Sequence, residues 1–180
     1  MTNTPLADAN TADELVNGWA PLAQEALLRL EGQDACKFLQ GQTTADFGQA
    51  NALDVIPGAF CDVKGRVIAD FRALIVDPET VILCVMESLA DLLSGHLTKY
   101  LMFSKAELNR IPEPPWGVVG SEAHHHFDVD QKLSEGNRVA AVAAGWLIPL
   151  GHQTSLLIPE DAKQVGINLN NKSIDEFESA

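Results

Sequence analysis

Apolar and polar residues alternate most regularly between Gly58 and Asp77, in the run GAFCDVKGRVIADFRALIVD. Side chains of a β-strand point alternately to its two faces, so this run predicts two strands. A two-residue turn at Lys64-Gly65 joins them, because glycine accepts the positive φ that such turns require. With that turn, Val63 faces Arg66, Cys61 faces Ile68 and Ala59 faces Asp70. One face then carries Phe60, Val67, Ala69, Phe71, Ala73 and Ile75 and is the expected core face. The other carries Cys61, Arg66, Ile68, Asp70, Arg72 and Leu74. Pattern alone makes it the wet side of an antiparallel sheet. Its mixture of charge and apolar surface also suits a small-molecule site.

The flanking segments supply the rest of a layer. Thr11 with Glu14 resembles a capping box for a short helix over 11–18. EALLRLE at 25–31 predicts a strand, broken by Gly32-Gln33. Asp34 is placed to cap a helix through Gln40, with Ala35, Phe38 and Leu39 on its buried side and Gly41 at its end. VILCVM at 81–86 is a buried strand, and Ser88 stands where a helix cap belongs. Leu89, Leu92, Leu93, His96, Leu97, Tyr100 and Leu101 fall on one helical face. FSKAELNRI at 103–111 predicts a returning strand. Strand, helix, hairpin, strand, helix, strand predicts an α+β fold: an antiparallel sheet with helices on one face, of ferredoxin-like character. Pro112, Pro114 and Pro115 end the unit.

Domain expectations follow: an N-terminal arm over 1–24, the α+β subdomain over 25–111, and a partial second subdomain with a loose C-terminus over 112–180. Within the last region, 116–120, 137–143, 146–150 and 154–158 read as short strands, and Pro159-Glu160-Asp161 as the start of a helix through Gln164.

Composition narrows the chemistry. The 180-residue chain has a net charge of −13, which repels nucleic-acid phosphate and anionic lipid, so neither is expected as a direct partner. Against that background Lys64, Arg66 and Arg72 concentrate positive charge in the hairpin, either as a solubilising face or for an anionic ligand. No run approaches the ~20 apolar residues of a membrane span. The N-terminus has no basic segment followed by an apolar run, so no secretory signal is read there. Cys36, Cys61 and Cys84 form no CxxC pair, so neither a disulfide framework nor a zinc site is expected, and a reducing cytoplasmic setting fits best. His124-His125-His126 lies in a polar loop and is read as incidental rather than as a metal site. Dinucleotide, P-loop, GxSxG and HExxH motifs are absent from the sequence.

Three segments carry a resemblance: LEGQDACKFLQGQTTAD at 30–46, CDVKGRVIADFR at 61–72 and KYLMFSKAEL at 99–108. In this order and spacing the chain resembles the YgfZ-type folate-binding proteins, relatives of the glycine-cleavage T protein, an aminomethyltransferase. The resemblance implies the N-terminal part of that fold, built around a tetrahydrofolate pocket within a ring of three subdomains. It implies an accessory protein that assists iron–sulfur enzymes, including those that modify transfer RNA. The family's later KGCYxGQE motif is missing, so a truncated or incomplete member is expected. The aminomethyltransferases carry two adjacent aspartates after the hairpin turn, the first assigned to chemistry on the folate-linked carbon. Here the pair reads Ala69-Asp70, which argues against one-carbon transfer, and no catalytic residue is assigned. The candidate folate-binding residues are Asp62, Lys64, Arg66, Asp70 and Arg72, with the basic groups facing the glutamate tail and Asp70 the pterin. A tetrahydrofolate-dependent aminomethyltransferase-like enzyme and a ligand-free structural domain are the alternatives.

Overall fold

A computed structural model describes residues 18–120, 127, 139–151 and 154–160. The residues expected to form the helix over 11–18 lie outside these except for Gly18. The helix expected from Pro159 to Gln164 lies outside them after Glu160, and so does the His124–His126 triplet.

The chain builds two antiparallel sheets and two helices in this order: β1 (Gly18–Pro21), β2 (Glu25–Glu31), α1 (Ala35–Gln42), β3 (Val55–Cys61), β4 (Val67–Asp77), β5 (Thr80–Met86), α2 (Glu87–Leu101), β6 (Glu107–Ile111), β7 (Trp116–Val119), β8 (Ala140–Val142), β9 (Gly145–Gly151) and β10 (Thr154–Pro159). The first sheet has the order β3-β4-β5-β2-β6 and the second β1-β7-β10-β9-β8. The α+β architecture matches the alternation in the sequence. β1, within the stretch read as an N-terminal arm, pairs with β7 in the second sheet.

Both helices cover one face of the first sheet. Phe38 and Leu39 of α1 and Leu93 and Leu97 of α2 pack on Leu28, Leu30, Phe60, Phe71, Ala73, Ile75, Leu83 and Val85. The apolar stripe of α2 is turned from the expected one. Ala90, Leu93 and Leu97 are buried, while Leu92 and Tyr100 are exposed. Neither expected cap forms. The cap of α2 is Met86, with no side-chain cap bond, and Ser88 lies inside the first turn; the Glu87 N–H donates to the Gln24 carbonyl (2.8 Å). The Asp34 carboxylate accepts from Lys105 N–H (2.9 Å) instead of capping α1. That bond ties the first resembling segment to the third. Helix α1 runs through Gly41 to Gln42, and β6 begins at Glu107, not Phe103. Phe103 and Ser104 N–H close the end of α2 onto the Tyr100 and Leu101 carbonyls.

The opposite face of the first sheet is not simply wet. Leu27, Leu74, Ile82 and Cys84 from it pack against Val139, Trp146, Ile148, Leu156 and Ile158, a face to which β9 and β10 of the second sheet contribute four residues. One layer of helices and one layer of sheet therefore sandwich the central sheet. The end of the outer face near the β3–β4 hairpin carries an open cleft at Asp70, Arg72 and Glu25.

The hairpin corrects the expected register in an instructive way. Asp62 and Arg66 close it (Asp62 N–H to Arg66 C=O, 2.8 Å) around a three-residue loop, Val63-Lys64-Gly65, with Gly65 at φ +77. Cys61 therefore faces Val67, not Ile68. A bulge between this pair and Phe60–Ala69 absorbs one residue of β4, so Ala59 still faces Asp70. The extra loop residue and the bulge cancel below Phe60. Above it the faces are reversed, and Val67 is 64% exposed instead of buried.

Candidate functional site

The open end of the outer face is built from three strands. On β4, Asp70 and Arg72 point the same way, two residues apart. β5 places Cys84 directly opposite Arg72, and β2 pairs Glu25 with Met86 and Leu27 with Cys84. Glu25, Asp70, Arg72, Cys84 and Met86, together with Pro57 and Gly58 of β3, line a cleft of about 260 Å³.

Its electrostatics centre on Glu25 and Arg72. The Cys84 thiol donates to Glu25 Oε2 (2.6 Å). Burial first, and the adjacent Glu25 carboxylate second, push the Cys84 thiol far above its ordinary value, so it stays protonated and donates. Arg72 Nη2 stands 4.0 Å from Glu25 Oε1. Arg72 Nη1 is shielded from solvent and has no hydrogen-bond partner among the described residues. A guanidinium nitrogen in that state is short of an acceptor, and a ligand anion is one way to supply it.

Arg72 also lines a second, larger depression of about 930 Å³ between the loop before β3 and strand β9. Leu53, Val55, Ile148 and Pro149 give it apolar walls, and Asp46 and Asp54 lie on it. Both carboxylates also hold their own loop, Asp46 accepting from Gly48 N–H (2.9 Å) and Asp54 from Asn51 N–H (2.8 Å). Leu53, a non-glycine residue at φ +68, donates its N–H to Ile75 C=O (2.6 Å). The segment QGQTTAD, 40–46, fixes this loop. Thr44 exchanges two hydrogen bonds with Ala59, each of 3.0 Å, and Gln40 accepts from Phe47 N–H.

The five sequence-derived site residues separate into two groups. Asp70 and Arg72 share the cleft. Asp62, Lys64 and Arg66 stand at the hairpin tip and line neither depression. The Asp62 carboxylate accepts from Lys64 N–H (2.8 Å), Arg66 N–H (3.0 Å) and Arg66 Nε (2.9 Å). The Arg66 backbone N–H above all, with the guanidinium and the Lys64 N–H, holds the Asp62 carboxyl below its ordinary value. This is the chemistry of a turn: Asp62 closes its own loop and engages Arg66. Glu25 and Cys84 also belong to the cleft, and sequence pattern alone does not point to them. Glu25 stood at the margin of a strand, and Cys84 in VILCVM read as plain core. Only the pairing of β2, β5 and β4 brings them to Arg72.

No protein-family model matches the chain. It is 37% identical over 99 residues to the tRNA-modifying protein YgfZ of Yersinia pestis (strain Pestoides F), a match covering 54% of this chain and 30% of that protein. It is 30% identical over 118 residues to an uncharacterized protein of Haemophilus influenzae, covering 63% of this chain and 42% of the other. The chain is thus similar to the YgfZ-type protein over about a third of that protein's length. Its fold is that of the glycine cleavage system aminomethyltransferase T from Bartonella henselae, with a TM-score of 0.66 at 12% identity, covering 87% of this chain and 46% of that one. A chain of the heterotetrameric sarcosine oxidase from Corynebacterium sp. U-96 also matches, with a TM-score of 0.54 at 18% identity, covering 90% of this chain and 85% of that one. The chain thus spans less than half the length of either sequence relative, while the fold match covers 87% of this chain.

Proposed function

We propose that this YgfZ-type chain is a folate-binding accessory protein, acting with iron–sulfur enzymes and in transfer-RNA modification in the cytoplasm. Tetrahydrofolate is its small-molecule partner. The observation that carries the binding reading is Arg72. Its guanidinium lies where the cleft meets the groove, with one nitrogen buried and unpartnered beside Asp70 and Glu25. Arg72 receives a carboxylate of the ligand, and Asp70 accepts hydrogen bonds from the amino and imino groups of a pterin. Lys64 and Arg66 do not line this site and take no part in our assignment. The similarity to the tRNA-modifying protein YgfZ of Yersinia pestis supports the wider role.

The enzyme reading gains from one observation. Ala69 is buried in the helix-side core, on the face opposite the cleft. The lost aspartate at that position therefore does not bear on what the cleft does. Asp70 is the carboxylate positioned to meet a ligand, and an aminomethyltransferase-like reaction would have to run on it.

The test is binding of a reduced folate to the folded chain and to the Asp70→Ala/Arg72→Ala double variant. Both side chains are partly or fully exposed, so the variant keeps its fold while its affinity drops. Unchanged affinity would remove both residues from the site. Release of a one-carbon unit from an aminomethyl donor in the presence of tetrahydrofolate would favour the enzyme.

A further inference from the structure

The charges around the two depressions say more about the ligand than its class. Among the described residues Arg72 is the one cation lining either of them. Glu25 and Asp70 share the cleft with it, and Asp46 and Asp54 the groove. The other basic side chains of the hairpin are at its tip, where Arg66 is held by Asp62 (2.8 Å). The chain as a whole carries −13. Every path away from Arg72 along these depressions therefore passes carboxylates.

From this we infer that the site selects monoglutamyl over polyglutamyl folates. The inference rests on the folate-binding reading above. A single glutamate can place one carboxylate on the partly exposed Arg72 guanidinium and leave its second toward solvent. Each further glutamyl residue adds a negative charge that meets no cation. It lies instead beside Asp46 and Asp54 or over an acidic surface, within a Debye length of about 10 Å at 0.1 M salt. The discrimination is electrostatic rather than steric, because a groove of about 930 Å³ has room for the added chain.

Tetrahydrofolate carrying one glutamate and tetrahydrofolate carrying five are titrated into the full chain at low salt and at about 0.5 M salt. The expected result is binding of the monoglutamate and roughly tenfold or greater weakening for the pentaglutamate at low salt. That gap narrows at high salt. It also narrows in an Asp46→Asn/Asp54→Asn variant, whose side-chain oxygens still accept the loop hydrogen bonds. Equal or tighter binding of the pentaglutamate, or a gap unmoved by both salt and the variant, overturns the inference and leaves the folate reading standing. Failure of either ligand to bind a folded chain overturns the folate reading itself, and this inference with it.

Discussion

Leu74 and Val67 form a matched pair for testing the packing of the two sheets. Alternation from a two-residue turn places Val67 in the core and Leu74 on the mixed face. Leu74 does lie on that face but is fully buried at 0% exposure, whereas Val67 has changed face and is 64% exposed. Leu74 is buried because β9 and β10 pack over it, with Trp146, Ile148, Leu156 and Ile158 in the same cluster. Removing three carbons there forfeits their transfer energy and leaves a cavity between two layers, so Leu74→Ala should cost about 3 kcal/mol. At an exposed site Val67→Ala should stay within about 0.5 kcal/mol. With a urea m-value of about 2 kcal/mol/M, the first change lowers the midpoint by about 1.5 M and the second by about 0.25 M or less. Equilibrium urea unfolding followed by tryptophan fluorescence measures both, and Trp146 lies in the affected cluster. A Leu74→Ala cost below about 1 kcal/mol would mean that the second sheet does not cover this face. A Val67→Ala cost above about 1.5 kcal/mol would restore the two-residue turn and remove the bulge.

Other predictions follow from single positions. Gly145 adopts φ +141, and a Cβ there would stand 2.1 Å from the Ile158 carbonyl oxygen, so Gly145→Ala should destabilise by at least about 2 kcal/mol, read as a fall in Tm. The Cys84 thiol is raised by burial and by Glu25, so the folded chain stays protonated where the unfolded chain ionises near pH 8.5. Its contribution to stability is complete below that pH and is lost as pH climbs above it, and a Cys84→Ala variant should lack this component of the alkaline decline. In the folded chain Cys84 should react with a thiol reagent at pH 8 more slowly than the half-buried Cys61. The Asp62 carboxyl is lowered by its turn hydrogen bonds, so what it adds to the hairpin is present above the unfolded carboxylate value near 3.9 and fades as pH falls through the lower folded value. Carboxyl NMR should show Asp62 titrating below an ordinary aspartate, and Asp62→Asn should loosen the Arg66 backbone.

The legible and illegible parts of this chain divide along a physical line. Local patterning was enough for the elements of the first sheet, because alternation and helical periodicity report which side of a segment is apolar. It also gave Ala59 opposite Asp70, although two compensating irregularities lie between that pair and the turn. It could not show those irregularities, since a loop residue gained and a bulge residue absorbed leave the spacing unchanged further along the strands. Nor could it show the cover on the outer face. Leu27, Leu74 and Ile82 are apolar residues on a face shared with Glu25, Arg72 and Arg29, and they read as a wet surface until the second sheet is placed on them. The site followed the same division. Asp70 and Arg72 were legible because they share one strand face. Glu25 and Cys84 reach Arg72 only through the pairing of β2 with β5 and β5 with β4, contacts between residues far apart in the chain. Asp62 and Arg66 lie in the same hairpin, but their hydrogen bonds to one another serve the turn.

The most direct measurement is calorimetric titration of the chain with monoglutamyl tetrahydrofolate, beside its Arg72→Met variant. The account predicts saturable one-to-one binding, weakened about tenfold to a hundredfold when the guanidinium is removed, as expected for a hydrogen bond to a charged group. No binding by a chain shown to be folded, or equal affinity in the Arg72→Met variant, would contradict it.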